Sequence, residues 1–498
     1  MAAGRSTPLR APEPVRVPAS AAATPADRHR WLALTVLCLG VLMIVLDTTI
    51  VNVALPSIRT DLGFTETSLV WVVNAYMLSF GGFLLLGGRL GDLYGHRRLF
   101  LAGLAVFTLA SLACGIATGQ AMLVAARAVQ GVGGAVVSAV SLSLIMDLFS
   151  APADRARAMG VYGFVCAGGG SLGVLLGGLL TSRFSWHWIF LVNLPIGLAV
   201  ALMSLSLLPP ARPRAQGEKL DVAGAAAVTA SLMLAVYAIV DGNQAGWTST
   251  RTLSLLCLAA LLMAAFLAIE SRVRQPLMPL GLFRLRSVAV ANTVGVLWSA
   301  AMFAWFFMSA LYLQRVLGYS PMQVGLAFLP ANLIMAACSL GLSARIVMRF
   351  GLRGPLAAGL TMAACGLALF ARAPVPGDFL LDVLPGMVLG GLGAGLAFNP
   401  LLLAALGDVE PADSGLASGI VNTAFMMGGA LGLAVLASLA AARTASLASG
   451  GADDLQALAG GYGLAFGVGA ACAALAAALG GLLLPASTGG ATGRAPTH

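Results

Sequence analysis

The sequence predicts an all-α membrane protein, and three observations carry that prediction. Of its 498 residues, 59% are hydrophobic and only 9% are charged, against roughly a quarter charged in an ordinary soluble domain. The apolar residues gather in runs close to the roughly 20 residues that cross a bilayer as a helix, and these runs recur from Trp31 almost to the C-terminus. The charges fall almost entirely between them. Backbone polar groups in hydrocarbon must be satisfied within their own segment, which for runs of this length means helices.

Fourteen runs can be followed, beginning near residues 31, 68, 99, 121, 158, 188, 222, 252, 288, 321, 354, 379, 411 and 461. Residues 1–30 precede them as an Ala-, Pro- and Arg-rich tail that reads as disordered. The run behind that tail is too long for a cleaved signal peptide and lacks a cleavage pattern. The first six runs fill 31–208, a linker at 209–287 holds two more, the last six fill 288–485, and a short tail closes the chain at 486–498. An even number of crossings puts both termini on one side. Arg5, Arg10, Arg16, Arg28 and Arg30 lie there, as do Arg97, Arg98, Arg155, Arg157, Arg349 and Arg353 after even-numbered runs. The positive-inside bias makes that side the cytoplasm, so the expectation is a multi-pass cell-membrane protein with both ends cytoplasmic.

The formal charge of +9 is accounted for by this orientation, since the basic residues are scattered between runs and do not form a nucleic-acid patch. All seven cysteines lie inside apolar runs without a C-x-x-C pair. They read as small packing residues, with neither disulfide nor metal implied. No segment between runs is long enough for a soluble domain, which excludes an enzyme with a water-side active site.

One charge breaks the pattern. Asp47 stands in the middle of VLMIVLDTTIVNVALP, residues 41–56. An ionised aspartate near the centre of a spanning helix costs on the order of 2.5 to 3.5 kcal/mol on insertion scales, so Asp47 needs a watery cavity, a partner or a proton. It lies nine residues before Pro56, about 13 Å from the outer end at the helical rise. Arg127, in RAVQGVGGA (127–135), enters the fourth run at a similar depth, about 9 Å below the outer surface. Two readings follow. Either the two form a fixed ion pair that holds helices together, or Asp47 exchanges protons with water while Arg127 senses it, directly or through Gln130 and water.

An internal repeat is also visible. GGRLGDLYGHRRLF (87–100) follows the second run and LSARIVMRFGLRGPL (342–356) the tenth, each a helix end followed by a tight basic turn with glycine. A duplicated six-helix unit with two helices inserted between the copies gives that eight-helix offset, and parallel repeats of this kind are a transporter design.

Four stretches together resemble the fourteen-helix drug:proton antiporters of the major facilitator superfamily, over about residues 31–485. They are LDTTIVNVALP (46–56), GGRLGDLYGHRR (87–98), RAVQGVGGA (127–135) and SLGVLLGGLLTSRFSWHWIFLVNLPIG (171–197). The chain departs from the pattern where Val174 replaces the proline that usually follows the glycine Gly173, and where Leu93 and His96 stand in for frequent basic residues. The resemblance implies a major facilitator fold of 14 transmembrane helices, with two six-helix halves and two extra central helices. It implies proton coupling through Asp47 and Arg127, and conformational gating by Gly88, Asp92, Gly95, Arg97 and Arg98, with Asp92 locking one half against the other. Gly173, Gly177 and Gly178 form the exporters' helix-packing motif. The ninth run, with Trp298, Phe303 and Trp305, becomes the first helix of the second half. It lines a substrate cavity to which Asn74, Tyr76, Gln130, Asn332 and Asn422 add neutral polar groups.

The expectation is therefore efflux of hydrophobic or amphipathic small molecules by alternating access. It is driven by the proton gradient with no other cofactor, and its partners are the drug, protons and the lipid bilayer. A facilitator or importer of a small metabolite, or a membrane ligand sensor that moves nothing, are the alternatives. The fifth-helix glycine motif weighs toward export. The two inserted runs carry no motif that assigns them a role.

Overall fold

Each apolar run becomes a helix, and the breaks fall where the chain supplies turn chemistry. The computed structural model describes residues 25–484 apart from 150, 209–220, 274–275, 339–341, 376 and 410–413. Residues 1–24 and 485–498 of the two expected tails therefore lie outside the described residues, as does the stretch 209–220 of the linker.

The N-terminal half comprises α1 (Pro25–Leu62), α2 (Val70–Tyr94), α3 (His96–Gly115), α4 (Gln120–Leu148), α5 (Pro152–Arg183), the single turn α6 (Trp188–Leu191) and α7 (Asn193–Leu207). Then come α8 (Val222–Ala245) and α9 (Thr250–Glu270). The C-terminal half comprises α10 (Arg286–Arg315), α11 (Pro321–Ala337), α12 (Ser343–Phe350), α13 (Arg353–Phe370), α14 (Leu384–Leu406), α15 (Ser414–Ser449) and α16 (Asp454–Leu483). Among the described residues, thirteen segments are long and apolar enough to cross a membrane, with α6 and α7 running on as one of them, and the 17-residue α11 is a shorter apolar helix. Among the described residues there is no strand.

α1 is longer than its apolar run. It continues through Pro56 to Leu62 and has 38 residues, roughly 57 Å at the helical rise, so it overshoots a hydrocarbon core of about 30 Å. Asp47 is correspondingly deeper from that end than the sequence distance to Pro56 implies.

The two halves repeat one packing pattern. α4 packs on α2 and α3, and α1 packs on α5 and α7; in the second half α14 packs on α11 and α13, and α10 on α15 and α16. The basic turns repeat as well. Gly95 ends α2 at φ 90° and Gly351 ends α12 at φ 74°, a backbone region that side chains other than glycine rarely adopt. Two residues past each glycine an arginine reaches the end of its half's last helix: Arg97 donates to the Leu205 carbonyl of α7, and Arg353 to the Gly481 carbonyl of α16. A cation at a helix C-terminus satisfies a carbonyl left over by the last turn and complements the helix dipole.

The halves meet along two equivalent seams, α5 against α11 and α2 against α15. Small residues bring the first seam close. A Cβ on Gly178 would lie 2.8 Å from the Pro321 carbonyl oxygen, and one on Gly325 3.0 Å from that of Val174. The inserted α8 lies over the second seam, packed on α2, α15 and its hairpin partner α9. Its Ile239 carbonyl accepts from Ser438 of α15 at 3.0 Å, and its Thr229 hydroxyl sits against Gly82 of α2.

Candidate functional site

Asp47 and Arg127 meet directly. Arg127 Nη1 donates to Asp47 Oδ2 at 2.5 Å, and the two side chains are 1% and 0% exposed. The other carboxylate oxygen, Oδ1, accepts from Gln130 Nε2 at 2.7 Å and from Asn193 Nδ2 at 3.1 Å. Gln130 Nε2 and Asn193 Nδ2 also donate to Ser111 Oγ, at 2.8 and 3.4 Å. Arg127 Nη1 in addition donates to Gln130 Oε1 at 2.7 Å, and its Nε donates to the Val72 carbonyl at 2.9 Å. The guanidinium lies 4.4 Å from the centre of the Tyr76 ring and 5.6 Å from that of Phe190, where the ring faces attract a cation.

Six elements build this site. Arg127 and Gln130 are three residues apart on α4 and so share one face. Asn193 is the first residue of α7, placed by the break after α6, and Ser111 comes from α3. α4 comes close because it carries glycine on two faces. A Cβ at 131 would lie 2.4 Å from the Tyr76 carbonyl oxygen of α2, and a Cβ at 133 would lie 2.6 Å from the Phe107 amide nitrogen of α3. α1 is held from behind by α5, where added Cβ atoms would meet Thr49 and Leu46 at Gly173 and the Ile50 carbonyl at Gly177. Gly173 and Gly177 thus back the helix that carries Asp47, whereas Gly178 faces the other half.

Every described hydrogen bond to Asp47 is donated by the neighbour, which is the pattern an ionised carboxylate requires, because that form only accepts. A buried ion pair of this kind need not add net stability over an apolar core. Losing one partner leaves an uncompensated charge, which costs about 3 to 5 kcal/mol.

All of these partners belong to the N-terminal half, so Asp47 points into that bundle. Tyr76 and Gln130, expected along a cavity between the halves, are buried members of the same network. Ser111 and Asn193 were not singled out in the sequence. Asn193 carried a faint signal as an amide beside Pro195 in an apolar run, and Ser111 carried none.

The remaining expected cavity residues lie elsewhere. Asn74 donates to the Ala430 carbonyl across the α2–α15 seam at 2.8 Å. Phe303 packs edge-on to Phe425, with centroids 5.9 Å apart. Trp305 contacts Phe306 and Phe370 and has Gly390 against its ring. Asn422 donates to Ser418 within its own helix at 3.0 Å. Trp298 and Asn332 are buried, and Trp298 Nε1 and Asn332 Nδ2 have no hydrogen-bond partner among the described residues. At the basic turn, Arg97 is bound to α7 as described, His96 lies 3.3 Å from Asp147 of α4, Gly88 has room beside Ala139, and Arg98 is exposed. The side chain of Asp92, on which the expected lock between halves depends, lies outside the described residues.

Two matching six-helix bundles joined by an inserted hairpin, with a charge network buried in one of them, have the architecture of a polytopic membrane transporter. Residues 37–433 match the family described as Major Facilitator Superfamily, and the chain belongs to it. It is 40% identical over 457 residues to the cephamycin export protein CmcT of Amycolatopsis lactamdurans, covering 91% of this chain and 92% of that one. It is 39% identical to the puromycin resistance protein pur8 of Streptomyces alboniger, covering 86% and 85%. The lincomycin resistance protein of Streptomyces lincolnensis is 37% identical, with 83% and 85% covered. A solved structure of a variant of the nucleoside transporter NupG aligns with a TM-score of 0.62 at 13% identity, covering 90% of this chain and 98% of that one. That likeness concerns the fold.

Proposed function

We propose that the protein exports hydrophobic or amphipathic antibiotic-like molecules from the cytoplasm in exchange for protons, by rocking its two halves alternately open to either side of the cell membrane. The names of the export and resistance relatives support the substrate class. The acceptor-only setting of Asp47 supports the energising step and is the observation that carries it.

In this arrangement the carboxylate takes three donated hydrogen bonds and offers no place for a proton without rearrangement. Protonating Asp47 would add an O–H that needs an acceptor and would cancel the charge that holds Arg127. Arg127 would then fall back on Gln130 Oε1, the Val72 carbonyl and the Tyr76 ring. α1 and α4 would no longer be tied by charge, and α5, whose glycines grip α1, would carry the change to the seam with α11. Proton loading at Asp47 thereby biases the arrangement of the halves, and a state that re-forms the ion pair expels the proton.

The test is drug accumulation and resistance in a drug-sensitive host, comparing wild type with Asp47→Asn at matched membrane levels. The expected result is that wild type lowers accumulation, that this depends on the proton gradient, and that Asp47→Asn abolishes it. Efflux against a gradient by Asp47→Asn would refute the coupling role.

A further inference from the structure

With α11 counted as a crossing beside the thirteen longer segments, the even number puts the described chain ends Pro25 and Leu484 on one face of the bundle. On the opposite, far face the two halves are joined by a charge cluster that no motif in the sequence marks. Glu66, in the connection between α1 and α2, pairs with Arg315 in the last turn of α10. It also lies 3.8 Å from Arg59 in the last turn of α1. Tyr462 of α16 donates its hydroxyl to Glu66 Oε2 at 3.2 Å. One N-terminal carboxylate thus serves a cation of its own half and a cation and a hydroxyl of the other. The side chains of Glu66 and Arg315 are each 24% exposed, sheltered enough for their attraction to exceed that of a fully solvated pair.

The same face closes by two further contacts between halves. Gln314 Nε2 donates to the Val53 carbonyl at 2.9 Å, and the Met322 amide donates to Ser182 Oγ at 3.1 Å. These flank the charged contact and place it where the halves must part if that face is to open.

We infer that Glu66 is a gating residue of the transport cycle, which latches the far face shut by holding Arg315 of the opposite half. Its position between two guanidinium groups gives it leverage beyond a single surface pair. With Glu66 neutralised, Arg59 and Arg315 are left as like charges on either side of the closure, so an attraction across it becomes a repulsion. The inference rests on the alternating-access part of the proposed function and makes no use of the drug or of Asp47.

The experiment uses the full-length protein in lipid nanodiscs, with its native cysteines replaced. Spin labels at R183C and S320C report the far face, and labels at R157C and M348C report the face bearing the chain ends. All four positions are exposed. In E66Q the far-face pair is expected to gain a long-distance component, with the open-to-closed ratio rising about fivefold, the scale set by an ion pair near the upper end of the surface range. The other pair is expected to shorten. The charge-swapped E66R/R315E protein, which restores one opposite-charge pair across the closure while leaving Arg59 on the N-terminal side, is expected to return toward the wild-type distribution. Should E66Q fold poorly, Y462F removes only the hydroxyl contact and is expected to shift the far-face pair in the same direction by less.

Unchanged far-face distances in a folded E66Q protein would overturn the inference, as would both pairs broadening together or a swap that opens the face further than E66Q. If E66Q fails to open while Asp47→Asn still abolishes efflux, only the latch is lost. If E66Q opens while Asp47→Asn exports normally, only the proton scheme is lost.

Discussion

Arg127 shows how much a single side chain can be asked to organise. Its planar guanidinium spreads donors over Asp47, Gln130 and the Val72 carbonyl and lies against Tyr76. A lysine ammonium could keep the charge but not that fork. Arg127→Ala is expected to destabilise the folded protein by about 3 to 5 kcal/mol, since Asp47 is then a buried charge without its counter-charge. Arg127→Lys should lose less, and thermal unfolding of the purified protein in one detergent would rank the two. Ser111 accepts from both amides that hold Asp47 Oδ1, so Ser111→Ala should cost about 1 kcal/mol, the scale of an ordinary buried hydrogen bond. A loss in Ser111→Ala equal to that in Arg127→Ala would mean that the hydroxyl, and not the ion pair, anchors the network.

At the scale of the element, α4 positions the site because its glycines let two neighbours touch its backbone. Gly133→Ala would place a Cβ 2.6 Å from the Phe107 amide nitrogen and 2.9 Å from the Gly103 carbonyl oxygen. Neither can yield without moving α3, so the expected outcome is a clear fall in unfolding temperature with loss of efflux. Gly160 on α5 makes the contrast, since a Cβ there meets nothing within 4 Å. Gly160→Ala should be neutral or stabilising by roughly 0.5 to 1 kcal/mol, because glycine inside a helix is the costlier residue. Equal behaviour of the two variants would show that helix propensity, not close approach, explains the glycines of this protein.

For the whole molecule, the repeated packing and the paired seams describe two bodies that meet along α5–α11 and α2–α15, with the far face closed. Ser182 of α5 and Met322 of α11 touch across that closure. A disulfide in the S182C/M322C protein should therefore arrest transport under oxidising conditions, with activity restored by a reductant, as measured by drug accumulation in everted vesicles. Full transport in a demonstrably cross-linked protein would mean that this seam does not open during the cycle. The inserted hairpin is tied to both bodies through Thr229 against Gly82 and Ser438 to Ile239, so the proposed rocking of the halves would have to carry it or slide along it.

Much of this scaffold is set by the sequence alone, because burial in lipid is a property of composition and length. The spans, their alternation, the duplication, and Asp47 and Arg127 as charges at membrane depth all follow from runs of apolar residues and the few positions that interrupt them. Even the paired glycine turns at Gly95 and Gly351 were legible, since positive φ selects glycine. What a hydrophobic helix hides is its direction. Each long run is apolar all round, so its pattern does not say which face meets lipid, which meets a neighbouring helix and which meets the other half. Only the folded chain turned Asp47 into the N-terminal bundle, recruited Ser111 and Asn193 to it, and set α8 across the α2–α15 seam. It also brought Glu66, Arg315 and Tyr462, which are far apart along the chain, to one point on the far face. Those contacts depend on helix rotation and approach, which small residues permit and tertiary packing alone selects.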